Sequence, residues 1–188
     1  MKNIIIYFSS TGNSFYAAKF LAKYLENCIC LPITKFDTNS QIGDADTNVG
    51  FIFPTYFFSI PKFFSEMVET LNLKNQAYYY GITTCNGFPG NAGHQLKMLI
   101  KSKDCELSFF RTLHMPGNYI MEYAPPKDRV INKRLSDAEK KLVDIAIMVE
   151  NRKQDVIKKR YALVSSIFRK VMYRNQHKWH KGFYTTHK

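Results

Sequence analysis

Five short apolar runs alternate along the chain with stretches whose apolar residues recur at three- and four-residue spacing. The first run, Asn3-Ile4-Ile5-Ile6-Tyr7-Phe8, is continuous rather than alternating, as a strand buried on both faces of a parallel sheet requires. Phe15, Ala18, Leu21, Ala22 and Leu25 then predict a helix with those residues inward. Cys28 to Ile33 predicts a second strand, and the polar stretch Thr34 to Thr47 a loop. Val49-Gly50-Phe51-Ile52-Phe53 reads as the third strand, ended by Pro54. Pro61 then opens a helix, in its first turn, with Phe63, Phe64, Met67, Val68 and Leu71 on its apolar face. Ala77 to Thr83 and Glu106 to Leu113 read as the fourth and fifth strands, with a helix from Asn91 to Lys101 between them. A long connection, Met115 to Arg134, leads to Ser136-Asp137-Ala138-Glu139, whose spacing predicts a capping box opening a helix with Ala138, Leu142, Ile145, Ala146 and Val149 inward.

Strand and helix in alternation imply an α/β fold, a doubly wound parallel sheet of five strands in the order 2-1-3-4-5 with helices on both faces. In that order a ligand sits where the strand order reverses, at the carboxyl ends of the first and third strands. Three unusual loops fall on that edge: Ser9 to Ser14, Pro54 to Ser59, and Thr84 to Gly90.

The first loop, Ser9-Ser10-Thr11-Gly12-Asn13-Ser14, joins a strand to a helix start, where unpaired amides and the helix dipole favour an anion. It lacks the Gly-Lys-Ser/Thr ending of a nucleotide-triphosphate loop and the three glycines of a dinucleotide fingerprint. Its hydroxyls suit a phosphate held without a cation, although the same residue types also serve as simple helix caps.

Charge changes the picture at the far end of the chain. The net charge is +12, yet residues 1–151 carry 16 Lys and Arg against 14 Asp and Glu, while residues 152–188 carry 11 against one. The expected division is therefore a near-neutral domain over 1–151 and a basic amphipathic helical arm over 152–188, its helix either continuing the one before it or standing apart from it. The arm suits an acidic redox partner or the surface of an anionic membrane, with nucleic acid ranked last because no nucleic-acid-binding fold accompanies it. The arm's apolar positions could equally pack on the domain. Neither a secretory leader nor an apolar run of membrane-spanning length is legible, and the cysteines, Cys28, Cys30, Cys85 and Cys105, show no metal or cluster spacing. A cytoplasmic protein with reduced thiols and no metal site is the expectation.

Taken together, Phe8 to Ser14, Pro54-Thr55-Tyr56, Thr84 to Gly90 and Met115-Pro116-Gly117-Asn118-Tyr119 resemble the flavodoxin-like FMN-binding proteins, and most nearly the bacterial EFR-type flavodoxin–ferredoxin fusions. The resemblance implies that Ser9, Ser10, Thr11, Gly12, Asn13 and Ser14 hold the FMN phosphate. It implies that Tyr56, shaped by Pro54 and Thr55, lies against the isoalloxazine ring, with Phe57 or Phe58 able to take that role instead. Thr84, Cys85, Asn86, Gly87 and Gly90 would border the ring's other side, Gly87 by permitting close approach and a left-handed backbone. Two departures from the family stand out. The aromatic loop has no Gly, and no cysteine follows Cys105 to hold the fusion family's clusters.

The resemblance implies FMN-dependent electron transfer with a ferredoxin-like iron–sulfur protein or domain and an unidentified acceptor, with no side chain singled out as catalytic. Two other readings remain: a quinone or protoporphyrinogen-type flavin oxidoreductase, and a flavin-free interaction module of the same fold.

Overall fold

The computed structural model describes residues 1–37, 39–118 and 124–158, together with positions 167, 170 and 171. In chain order the elements are β1 (Lys2–Tyr7), α1 (Asn13–Ala22), β2 (Cys28–Pro32), a 3-10 turn (Ile33–Lys35), β3 (Gln41–Ile42) and β4 (Thr47–Pro54). Then come α2 (Lys62–Thr70), β5 (Asn72–Leu73), β6 (Tyr78–Cys85), α3 (Ala92–Lys101), β7 (Leu107–His114) and α4 (Asp128–Glu150). Five strands form one parallel sheet in the order β2-β1-β4-β6-β7. Counting those five alone, this is the expected 2-1-3-4-5 order.

Each strand is apolar for the reason its sequence suggests. The central strands β4 and β6 are buried along their whole length but for their last residues. One core lies on the α2/α3 side, with Phe51, Phe53, Phe64, Val68, Leu96 and Ile100 among its members. The other lies beneath α1 and α4, where Ile5, Leu21, Ile52, Tyr80, Phe109 and Leu142 meet. Apolar side chains of a single strand therefore feed both cores, as the doubly wound arrangement demands.

Several expectations need correction. The stretch 34–47 lacks an α-helix but is not featureless: the 3-10 turn opens it, and β3 pairs in parallel with β5 in a separate two-stranded sheet. Pro61 precedes α2 as its N-cap, in extended conformation, rather than standing in its first turn. Phe15 and Phe63 do not point inward; they are 44% and 45% exposed, in the first turns of α1 and α2. Helix α4 begins at Asp128, two residues after Pro126, so Ser136 lies inside it and no capping box operates. Glu139 instead accepts a hydrogen bond from the Tyr16 hydroxyl of α1, a tertiary use of a side chain that local spacing assigns to capping.

The basic arm does not continue α4. That helix ends at Glu150, and Arg152 adopts a left-handed backbone (φ 46°). Residues 153–158 are not helical and climb the free edge of β7. The Asp155 amide donates to Ser108 O (2.8 Å), the Asp155 carboxylate pairs with Arg111 (2.8 Å), and Ile157 packs on the α2/α3-side core. Ile167, Lys170 and Val171 are helical; Tyr161, Val164, Phe168 and Met172, whose spacing with Val156, Ile157, Ile167 and Val171 gives the arm its apolar face, lie outside the described residues, as does Tyr119. No described helix is long and apolar enough to cross a membrane.

Candidate functional site

Because all five main strands run in one direction, the loops after β1, β4, β6 and β7 converge on one edge of the sheet. Hydrogen bonds tie them together there. Ser14 Oγ and Thr84 Oγ1 share a buried hydrogen bond of 2.7 Å, joining the first and third loops beneath the surface. Asn13 Nδ2 donates to Pro116 O (2.9 Å), joining the first loop to the segment after β7. The Tyr56 hydroxyl donates to Ser10 Oγ (2.8 Å), joining the aromatic loop to the first.

The first loop is arranged as a set of donors. Gly12, at φ 98°, is the N-cap of α1 and lets the chain turn where a side chain would be strained; no side chain caps the first turn. The amides of that turn lack intrahelical partners by the geometry of any helix start. Three hydroxyls around it each accept a hydrogen bond from the protein itself. Ser9 Oγ accepts from the Gly12 amide (3.1 Å), Ser10 Oγ from Tyr56, and Thr11 Oγ1 from Asn118 Nδ2. A hydroxyl that accepts in this way keeps its own proton to donate. Ser10, Thr11 and Gly12 are exposed, so the donors face solvent rather than the core.

The aromatic loop is a two-residue hairpin turn. Tyr56 and Ser59 form an antiparallel bridge through two backbone hydrogen bonds of 2.9 and 3.0 Å, and both central residues, Phe57 and Phe58, have positive φ (49° and 58°). This is the type I′ geometry, which Asn and Gly adopt readily and aromatic residues do not. The third loop holds it in place. Gly90 lies so close to Phe58 that a Cβ there would stand 2.0 Å from the Phe58 carbonyl oxygen. The Asn91 amide donates to that same oxygen (3.0 Å), and Gln95 Oε1 receives the Ile60 amide (2.8 Å). Thr55 is bound to the strand beside it, its hydroxyl to Thr83 Oγ1 (2.8 Å) and its amide to Thr84 O (2.9 Å). The two loops expected to flank a ring are thus locked to each other, with Pro54 ending the strand that leads into them.

In the third loop the left-handed glycine is Gly90 (φ 60°), not Gly87, whose Cβ position faces open space. Cys85 ends β6, its thiol donating to Gly87 O (3.3 Å) and lying 3.9 Å from His114 Nδ1. Burial pushes that thiol up to about 11, against the pull of Arg134 and Lys141, so it stays protonated near neutrality. Asn86 is gripped by Arg134, whose Nη1 donates to its backbone oxygen (3.0 Å), to its side-chain oxygen, and to Met115 O (3.0 Å).

Sequence reasoning missed Arg134, Gln95 and Asn91 as supports of the site. Asn118 was within reach, since it stands in the Met115-Pro116-Gly117-Asn118 motif. Arg134 carries no local signal: it is one of many cations on a polar stretch, and only the return of α4 to the ligand edge gives it a role. Phe15, Phe63 and Phe88 (42% exposed) form an aromatic rim on this edge, from the starts of α1 and α2 and from the third loop.

No family profile and no curated protein matches the chain. Among solved structures, a cysteine-to-alanine mutant of flavodoxin from Pseudomonas aeruginosa aligns over 80% of this chain and 99% of its own, with a TM-score of 0.50 and 14% identity. A flavodoxin from the domain Archaea aligns over the same shares at a TM-score of 0.47 and 18% identity. The rubredoxin oxygen:oxidoreductase of the anaerobe Desulfovibrio gigas matches 80% of this chain but only 36% of its own, with a TM-score of 0.48 and 12% identity. At such identities the likeness is one of fold, and the fold is flavodoxin-like.

Proposed function

We propose that the chain binds FMN at the carboxyl edge of its sheet and serves in electron transfer with a ferredoxin-like iron–sulfur protein or domain. The observation that carries this reading is the donor set of the first loop. Three hydroxyls that already accept protein hydrogen bonds, beside an uncapped helix start, suit a phosphate dianion. Ser9 to Ser14 would hold the phosphate, while Tyr56 and the loop from Asn86 to Gly90 would frame the ring.

The bound flavin supplies the redox chemistry. The chain's own work is to bind, orient and exclude water. The close packing of Gly90 against Phe58 at the hairpin's tip keeps the aromatic loop in one position, and Arg134 fixes the backbone at Asn86. The exposed rim of Phe15, Phe63 and Phe88 offers apolar contact to whatever approaches. The EFR-type resemblance supports an iron–sulfur partner, and the basic segment 152–188 supports an acidic docking face on it.

The test is the visible spectrum of the purified chain, mixed with FMN and then reduced stepwise by a reduced ferredoxin. Bound-flavin absorption that bleaches with the added electrons supports the proposal. The same aromatic rim also favours a second reading, a flavin enzyme acting on a quinone-type ring, which steady turnover with a quinone and no protein partner would establish. Protein that remains colourless after incubation with FMN would instead leave the flavin-free interaction module.

A further inference from the structure

Edge strand β2 carries two thiols on one face. Cys28 and Cys30 are separated by one residue, so both side chains project to the same side of the strand, and both are half-buried against the α1/α4-side core. Ile29 and Leu31 project to the other side and are 55% and 39% exposed. Cys-x-Cys belongs to no zinc or cluster motif, and among the described residues no third His, Cys, Asp or Glu joins the pair in a metal-binding group.

A second observation points to the same place. Tyr80 is fully buried, and its hydroxyl has no hydrogen-bond partner among the described residues. Cys30, Ile5, Gly50 and Tyr80 form one row across β2, β1, β4 and β6, so their positions share a face of the sheet. Gly50 has no side chain, and the phenol fills that space: a Cβ on Gly50 would stand 2.4 Å from Tyr80 Oη. The ring therefore reaches from β6 over β4, toward the strands that lead to the thiols. Burial raises the phenol's proton affinity most, and the next groups to act on it are Cys28 and Cys30. A buried hydroxyl is costly until something accepts its proton in a hydrogen bond.

We infer that Cys28 and Cys30 form a two-coordinate site for a soft monovalent metal ion, copper(I), with the Tyr80 hydroxyl facing the thiolate pair as a donor. Residues two apart on a strand stand about 6.6 Å from Cα to Cα with parallel Cβ bonds, whereas a direct S–S bond takes a Cβ separation of roughly 3.8 Å. An ion between the sulfurs needs less closure. Two metal–sulfur bonds of about 2.3 Å, the zinc–thiolate length, let the sulfurs stay roughly 4.6 Å apart. Thiolates are soft ligands that select copper(I), while a structural zinc takes four ligands where this pair offers two. On binding, two S–H bonds give up their protons to solvent and two Cu–S bonds form, with no electron transferred. The product carries one negative charge. Burial favours the protonated thiols, and Lys19 of α1 is the cation that opposes it at both; the same charge offsets the product. The site needs neither FMN nor the loops proposed to hold it.

Copper(I) is the probe, presented to the full, reduced, FMN-free chain under anaerobic conditions as its bicinchoninate complex. The chain should withdraw one copper per molecule, with growth of ultraviolet thiolate-to-copper absorption. Cys28→Ser and Cys30→Ser should each weaken that equivalent at least a hundredfold. Silver(I), of the same charge and softness, followed by backbone amide NMR of the unaltered chain, should shift residues 28–30 and the neighbouring positions 5, 50 and 80 before any others. Tyr80→Phe, which removes the unpartnered hydroxyl, should raise the urea midpoint of the metal-free chain and weaken copper about tenfold; a purely structural role predicts the first effect without the second. Several results would overturn the inference. One is loss of the tight equivalent in Cys85→Ser, whose thiol lies 3.9 Å from His114 Nδ1, with Cys30→Ser unaffected. Others are silver shifts centred on residues 85 and 114, no copper withdrawn from bicinchoninate, or zinc held as tightly as copper.

Discussion

At the scale of single residues, the site depends on a few positions with no tolerance for substitution. Gly90 is the clearest. Its left-handed backbone and the 2.0 Å approach to the Phe58 carbonyl leave no room for a Cβ. Gly90→Ala should force the aromatic turn away from the third loop, lowering stability by about 1–3 kcal/mol in urea denaturation and weakening FMN further than that loss alone explains. Gly87→Ala, in open space, should do neither. Cys85 gives a second check. With its thiol held up to about 11, its thiolate fraction at pH 8 should be roughly a hundredfold below that of an ordinary thiol. Alkylation by iodoacetamide at pH 8 should be correspondingly slow and accelerate as pH approaches 11. Rapid labelling at pH 8 would contradict the burial that raises it.

At the scale of elements, the strands were legible because a short continuous apolar run between turn residues is what a strand buried on both faces requires. Helix α4 was not. Ser136-x-x-Glu139 has the spacing of a capping box, yet the helix starts at Asp128, and Glu139 is taken by Tyr16. A local motif cannot register a partner more than a hundred residues away. Likewise Phe15 and Phe63 fit the helical period, but both fall in the first turn, where a helix emerges from the core at the ligand edge. The three loops were readable from their unusual composition, whereas the interlock of Phe58 with Gly90 and Asn91 is a tertiary arrangement with no sequence signal.

The Tyr16–Glu139 contact pins α1, which carries the first loop, to α4. The hydrogen bond to Glu139, then burial, then the carboxylate's charge lift the Tyr16 phenol from 10.0 to about 12. A raised folded-state value means that the contribution is whole below about pH 10 and fades as pH rises through about 12, because the unfolded chain releases its proton first. Glu139→Gln should therefore flatten the fall of the urea midpoint between those values. A variant whose alkaline profile matches the parent's would show that the contact contributes nothing.

At the scale of the whole molecule, the distribution of charge follows the path of the chain. After α4 the backbone reverses at Arg152, is fastened to β7 by Asp155, and brings Lys158 into a cleft shared with Pro89 and Gly90 of the third loop. Residues 152–158 thus run toward the ligand edge rather than away from it, a placement that charge counts alone could not give. Asp155 is held below the usual carboxylate range chiefly by its hydrogen bond from Arg111. Asp155→Asn should speed trypsin cleavage after Lys153 and Lys158 severalfold while leaving the thermal midpoint of the domain within a few degrees.

The account's central claim is that the hydroxyl-bearing turn after β1 grips a phosphate. Its most direct test compares the affinities of FMN and riboflavin for the flavin-free chain by fluorescence titration, since the two ligands differ only in that group. Charge-assisted hydrogen bonds from several donors predict FMN tighter by at least a hundredfold, about 3 kcal/mol. Equal affinities would mean that the turn does not hold the phosphate, and would contradict the account.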